Sequence, residues 1–130
     1  LNVGLPFSSF KINYARNESD TNSQGFQSAY VLDHLESNFS ITAVQDLNKQ
    51  IRVDWRVSYQ DRKGGYANLD SGEEVEYSPF WLVAARASCN LLNKHTLYIE
   101  INNILNTEYV DFGNIPQPGR WIRAGINIIL

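Results

Sequence analysis

Apolar and polar residues alternate along most of this chain, and the alternation stops only at a few polar, turn-rich breaks. A repeat of two is the spacing of a β-strand with one face in an apolar medium and the other in a polar one. In SSFKINYAR, Phe10, Ile12 and Tyr14 oppose Lys11 and Asn13; in NFSITAVQ, Phe39, Ile41 and Ala43 oppose Ser40 and Thr42. The pattern is fullest in IRVDWRVSYQ, where Ile51, Val53, Trp55, Val57 and Tyr59 share one face and Arg52, Asp54, Arg56, Ser58 and Gln60 the other. FWLVAARASCNLL sets Val83, Ala85, Ala87, Cys89 and Leu91 against Arg86, Ser88 and Asn90. HTLYIEINN sets Leu97, Ile99 and Ile101 against Tyr98, Glu100 and Asn102, and the closing GRWIRAGINIIL sets Ile122, Ala124, Ile126, Ile128 and Leu130 against Arg123, Gly125 and Asn127. Six strands are predicted. SAYVLDHLES (28–37) fits either a short helical turn or the outer end of the second strand.

The connections differ in length. DLNKQ (46–50) and LNKH (92–95) are short, polar, Asn-containing turns, whereas 16–25, 61–79 and 106–119 are long. If the strands run up and down as an antiparallel meander, both tight turns fall at one end of the sheet and the long loops at the other. A transmembrane β-barrel wall has this form, with its apolar face toward lipid and its polar face toward the lumen. A soluble antiparallel barrel or sandwich binding a small ligand is the alternative, with the apolar face turned inward. Charged residues on the polar face, Arg52, Asp54, Arg56, Arg86, Glu100 and Arg123, suit a wet, enclosed lumen.

Composition narrows the choice. A chain of 130 residues without a shift in composition forms one domain, and no window has the run of about 18 apolar residues that a membrane helix requires. Leu1 at the start and the absence of methionine lead us to expect a piece of a longer chain. The net charge of -3, with both signs interspersed, argues against nucleic acid as a partner. Cys89 lies in an apolar run, where a buried or lipid-facing thiol is expected and not a nucleophile. His34 and His95 lack metal-ligand or triad spacing, and the acidic run of Asp70, Glu73, Glu74 and Glu76 lacks the spacing of a calcium loop, so neither catalysis, a metal nor a cofactor is predicted.

The closing INNILNTEYVDFGNIPQPGRWIRAGINIIL resembles the C-terminal end of TonB-dependent outer-membrane receptors, through Asn103, Leu105, Asn106, Tyr109, Pro118, Gly119 and Arg120 followed by an alternating final strand. SAYVLDHL, YQDRKGGY and EYSPFWLVAAR resemble the cobalamin-receptor branch of that family as found in Bacteroidetes-like bacteria, so the likeness spans nearly the whole chain. It implies a segment of a plugged barrel of about 22 strands in a bacterial outer membrane. The last strand would then pair with the first to close the wall, although Leu130 stands where the family usually has an aromatic residue.

The same resemblance implies the partners: the rest of the barrel and its plug, TonB through a segment not in this chain, outer-membrane lipid, and a scarce nutrient, with cobalamin the first candidate and a ferric siderophore the second. Tyr66, Tyr77, Tyr109 and Phe112 become ligand-facing loop candidates, or else loop-packing aromatics. Arg52, Asp54, Arg56, Arg86, Glu100 and Arg123 would face lumen or plug. Asp61 and Arg62, which close the third strand, would form a structural pair at the rim or else touch ligand or plug. Trp55, Trp81, Tyr59 and Tyr98 suit aromatic girdles, with Tyr98 on the lumen side of the pattern. Two open sheet edges, around Phe10 to Tyr14 and Ile122 to Leu130, would make the isolated chain self-associate.

Overall fold

The computed structural model describes residues 7–18, 34–68, 71–91, 94–111 and 115–129. Among these residues there are ten strands in chain order: β1 (Ser9–Arg16), β2 (His34–Asp46), β3 (Ile51–Lys63), β4 (Gly65–Ala67), β5 (Glu74–Glu76), β6 (Phe80–Leu91), β7 (His95–Asn102), β8 (Val110–Asp111), β9 (Ile115–Pro116) and β10 (Trp121–Asn127). The long strands form one antiparallel sheet in the order β1-β2-β3-β6-β7-β10. These are the six strands read from the alternation, joined as an up-and-down meander. Residues 34–37 belong to β2, with a register shift between Leu35 and Ser37, while 28–33 lie outside the described residues.

Register turns six separate patterns into one surface. Phe10, Ala43, Trp55, Ala85, Ile101 and Ile122 stand opposite one another across all six strands. The next row toward the tight turns holds Gln45, Val53, Ala87, Ile99 and Ala124, and the one after it Ile51, Cys89, Leu97 and Ile126. Because side chains alternate strictly, one residue of slip in any strand would put its apolar set on the wrong face.

Among the described residues nothing forms a core above this apolar face. Among the described residues the only buried apolar side chains are Ala43 and Tyr77, whereas Phe10, Ile12, Trp55, Ile99, Ile122 and Ile126 are all exposed. Ala43 is covered because it lies in register with Phe10 and Trp55, two large rings on its flanking strands. A soluble sheet of this width normally buries such a face beneath a second layer. The two remaining sheets, β4-β5 and β8-β9, are each two-stranded and belong to the loops.

All the long connections leave from one end of the sheet. There the apolar face finishes in a row of rings, Tyr14, Phe39, Tyr59 and Trp81, one on each of four adjacent strands. Tyr59 and Trp81 have ring centroids 5.0 Å apart, and Phe39 meets Trp81 edge-on at 6.4 Å. Trp55 stands two rows deeper, mid-strand, and Tyr98 is on the polar face, so of the four expected girdle residues Tyr59 and Trp81 lie in this row. At the other end Asn48 makes the tight turn: its Oδ1 accepts the backbone N–H of Gln50 and of Ile51, each at 2.8 Å, closing β2 onto β3.

Candidate functional site

The polar face carries the first cluster. Register places Asp54, Arg86, Glu100 and Arg123 side by side on β3, β6, β7 and β10, so the sign of charge alternates across four strands. Opposite charges directly across a sheet attract, and each such pair contributes about 0.2–1 kcal/mol. The tightest is Arg123 with Glu100: Nη2 donates to both carboxylate oxygens at 3.0 and 2.9 Å, and Nε adds a bond at 3.2 Å. Asn102 Nδ2 also donates to Glu100 at 2.9 Å, and these contacts account for the burial of a carboxylate on an otherwise wet face.

Arg86 reaches Glu100 only at 3.9 Å and is engaged more closely elsewhere. Its guanidinium lies over the ring of Tyr98, 4.0 Å from the centroid. That ring in turn covers Gly125, its cross-strand partner, so closely that a Cβ at Gly125 would stand 2.6 Å from the tyrosine oxygen. Any larger residue here would displace the ring from this position, which accounts for a glycine in a strand that it weakens on propensity alone. In the adjacent row Arg52 donates to Asp46 at 2.7 Å, and Ser8 donates to the same carboxylate at 2.6 Å.

All six residues expected to face the lumen, Arg52, Asp54, Arg56, Arg86, Glu100 and Arg123, line one shallow concavity of about 440 Å³. Arg56 and Asp54 make no ion pair among the described residues. With four arginines against two carboxylates, the six residues carry a net +2.

The second cluster lies at the loop end. The β4-β5 arm, the start of β6, residues 105–110 and the Pro116–Gln117 pair line a cleft of about 680 Å³. Three of the four aromatic residues expected to face a ligand, Tyr66, Tyr77 and Tyr109, line it; Phe112 lies outside the described residues. Tyr66 and Tyr77 pair at 5.3 Å, while Tyr109 packs against Phe80 at 4.4 Å, a wall residue that periodicity alone gave no reason to single out. Burial, helped by the nearby charge of Asp111, raises the Tyr109 phenol above its ordinary value and keeps it neutral.

The loops around this cleft are fastened together. Arg62, at the end of β3, donates to Asp111 in β8 at 3.0 Å and sits 5.7 Å from the ring centre of Tyr77. Arg62, expected to form a rim pair with Asp61, reaches Asp111, a residue 49 positions along the chain. Two-residue strands such as β8 and β9 are too short to show a period, which is why sequence alone gave no sign of this hairpin.

Beneath the cleft the chain turns a corner built from the residues that carried the family resemblance. Asn103 and Asn106 both take a left-handed backbone, with φ of 49° and 55°. Asparagine tolerates that conformation better than other non-glycine residues. Asn103 accepts the backbone N–H of Thr107 at 2.9 Å and donates to its carbonyl at 2.8 Å. A longer bond of 3.4 Å runs from Asn103 to the carbonyl of Pro118. Asn106 Oδ1 accepts the N–H of Arg120 at 2.8 Å, and a Cβ on Gly119 would come within 2.7 Å of that oxygen. Arg120 Nε returns to the carbonyl of Ile104 at 3.0 Å. Asn103, Asn106, Pro118, Gly119 and Arg120 are therefore brought together as one lock, and Tyr109 stands apart from it in the cleft.

Among the described residues no group of three or more His, Cys, Asp or Glu is placed to hold a metal ion. Against protein-family profiles, curated proteins and solved structures, the chain finds no match.

Proposed function

We propose that this chain is the C-terminal barrel segment of a TonB-dependent outer-membrane receptor, part of an active importer for a scarce nutrient such as cobalamin or a ferric siderophore. Its contribution is barrel wall, ligand-facing loops and the closing strand β10, while energy coupling through plug and TonB belongs to other parts of the receptor. The strongest support is the apolar face, which runs in register across six strands with no layer packed on it among the described residues. In water that surface would be costly at about 25 cal/mol per Å² of apolar area; against lipid it costs nothing. The nine residues Ile51–Tyr59 span the apolar rows of β3. That is the length of about 9–11 residues with which a tilted strand crosses a bilayer. The Tyr14–Phe39–Tyr59–Trp81 row at one end of the apolar face supports the reading, since a barrel wall carries an aromatic girdle at its interface. The charged concavity on the opposite face would meet the plug.

Spin labels at Val53 and Asp54, in the intact protein inserted into bilayers, test this reading directly. Oxygen, which concentrates in lipid, is expected to relax the label at Val53, and a water-soluble nickel chelate the label at Asp54. A label at Val53 shielded from both relaxers would mean that the apolar face is a protein core, and the soluble barrel or sandwich would replace the receptor.

A further inference from the structure

We infer that the loop-end cleft selects an organic cation with an aromatic or otherwise flat apolar body, and discriminates against anions of the same shape. This rests on the receptor reading for its setting, since the loops would then face the outside. The size is that of a small-molecule site, about 680 Å³. Two ring pairs line it, Tyr66 with Tyr77 and Phe80 with Tyr109. The face of an aromatic ring is the negative part of its quadrupole, so rings grouped around a cavity attract positive charge.

The charge of the surroundings agrees. Glu76 and Glu108 line the cleft, and no Lys or Arg does so among the described residues. Neither carboxylate is engaged by a cation among those residues, so both remain available to a ligand. Segment 61–79 holds Asp61, Asp70, Glu73, Glu74 and Glu76 against Arg62 and Lys63, a net -3, and segment 106–119 holds Glu108 and Asp111 with no basic residue, a net -2. Together they carry -5, more than the -3 of the whole chain, so the remainder is net +2 and the negative charge is concentrated in these loops. An anion entering the cleft would meet Glu76, Glu108 and the rings, while Arg62, the base beside Tyr77, is already paired with Asp111. A cation would meet the carboxylates and the rings as attraction, strengthened wherever the ring walls exclude water.

The test uses benzyltrimethylammonium and benzylsulfonate, which share a ring and differ in charge, with the intact protein in an uncharged maltoside detergent. Saturation-transfer NMR is expected to show benzyltrimethylammonium bound at least tenfold more tightly than benzylsulfonate. The double variant Glu76→Gln, Glu108→Gln should lose most of that preference, whereas Asp46→Asn, at the opposite end of the sheet, should keep it. Equal binding of the two probes, or a preference unchanged in the double variant, would overturn the inference. Spin-label accessibility at Val53 in the same protein separates the two failures: oxygen contact at Val53 without cation preference rejects the ligand class alone, and a shielded Val53 rejects the receptor reading itself.

Discussion

Gly125 and Tyr98 show how one position can be fixed by its neighbour across the sheet. The end of the ring lies against the glycine, and Arg86 lies over the ring, so three strands are tied by successive contacts with a backbone at their base. Gly125→Val puts side-chain atoms where the tyrosine oxygen now stands. The ring must swing away and release Arg86, at a cost of about 1–3 kcal/mol. Urea unfolding followed by tryptophan fluorescence in maltoside micelles should show the loss, and Tyr98→Ala in the same background should recover part of it by removing the clash. If Gly125→Val is as stable as the parent, these contacts carry no weight. The alternation in GRWIRAGINIIL places Gly125 on the polar face and that in HTLYIEINN places Tyr98 there, but neither says that they are opposite each other. Side-chain period assigns a face; the shift between two strands comes only from their pairing. For the same reason the six charges of the polar face were legible as a set, while the alternating order of Asp54, Arg86, Glu100 and Arg123 was not.

At the scale of elements, the six long strands were readable because each carries several repeats of an unbroken two-residue pattern. The arms β4-β5 and β8-β9 carry two or three residues per strand and were unreadable for that reason. They gather Tyr66, Tyr77 and Tyr109, which were nominated one by one from loops that sequence places far apart. The corner between β7 and β10 was marked by resemblance and acquires its physical meaning from the asparagines. Asn106 does two things there: it adopts a left-handed backbone, and its side chain accepts from Arg120. The two roles separate by substitution. Asn106→Gly keeps the backbone and loses only the bond, about 1 kcal/mol. Asn106→Ala loses the bond and adds strain, about 1–3 kcal/mol more. Thermal unfolding of both variants should rank parent, glycine, alanine in that order; an alanine variant as stable as the glycine one would show that the left-handed turn is not under constraint.

For the molecule as a whole, the decisive contrast is between a sheet with a continuous apolar face and the near absence of buried apolar side chains among the described residues. A protein in this state needs something to cover it. In plain buffer we expect the isolated chain to associate, through that face and through the unpaired N–H and C=O groups of β1 and β10. In maltoside micelles the face is covered and association should be confined to the edges. Analytical ultracentrifugation across a detergent series checks this; a stable monomer in plain buffer would mean that the apolar face had found a cover within the chain.

The two outer strands of the sheet run in opposite directions, because six antiparallel strands separate up from down at the margins. Any wall that completes this sheet into a closed antiparallel cylinder must begin next to β10 with a strand pointing up and finish next to β1 with one pointing down. The complement can therefore only be built from whole hairpins. An odd number of added strands would force two neighbours to run parallel, so in any such closed wall genetic insertions and deletions should be tolerated two strands at a time.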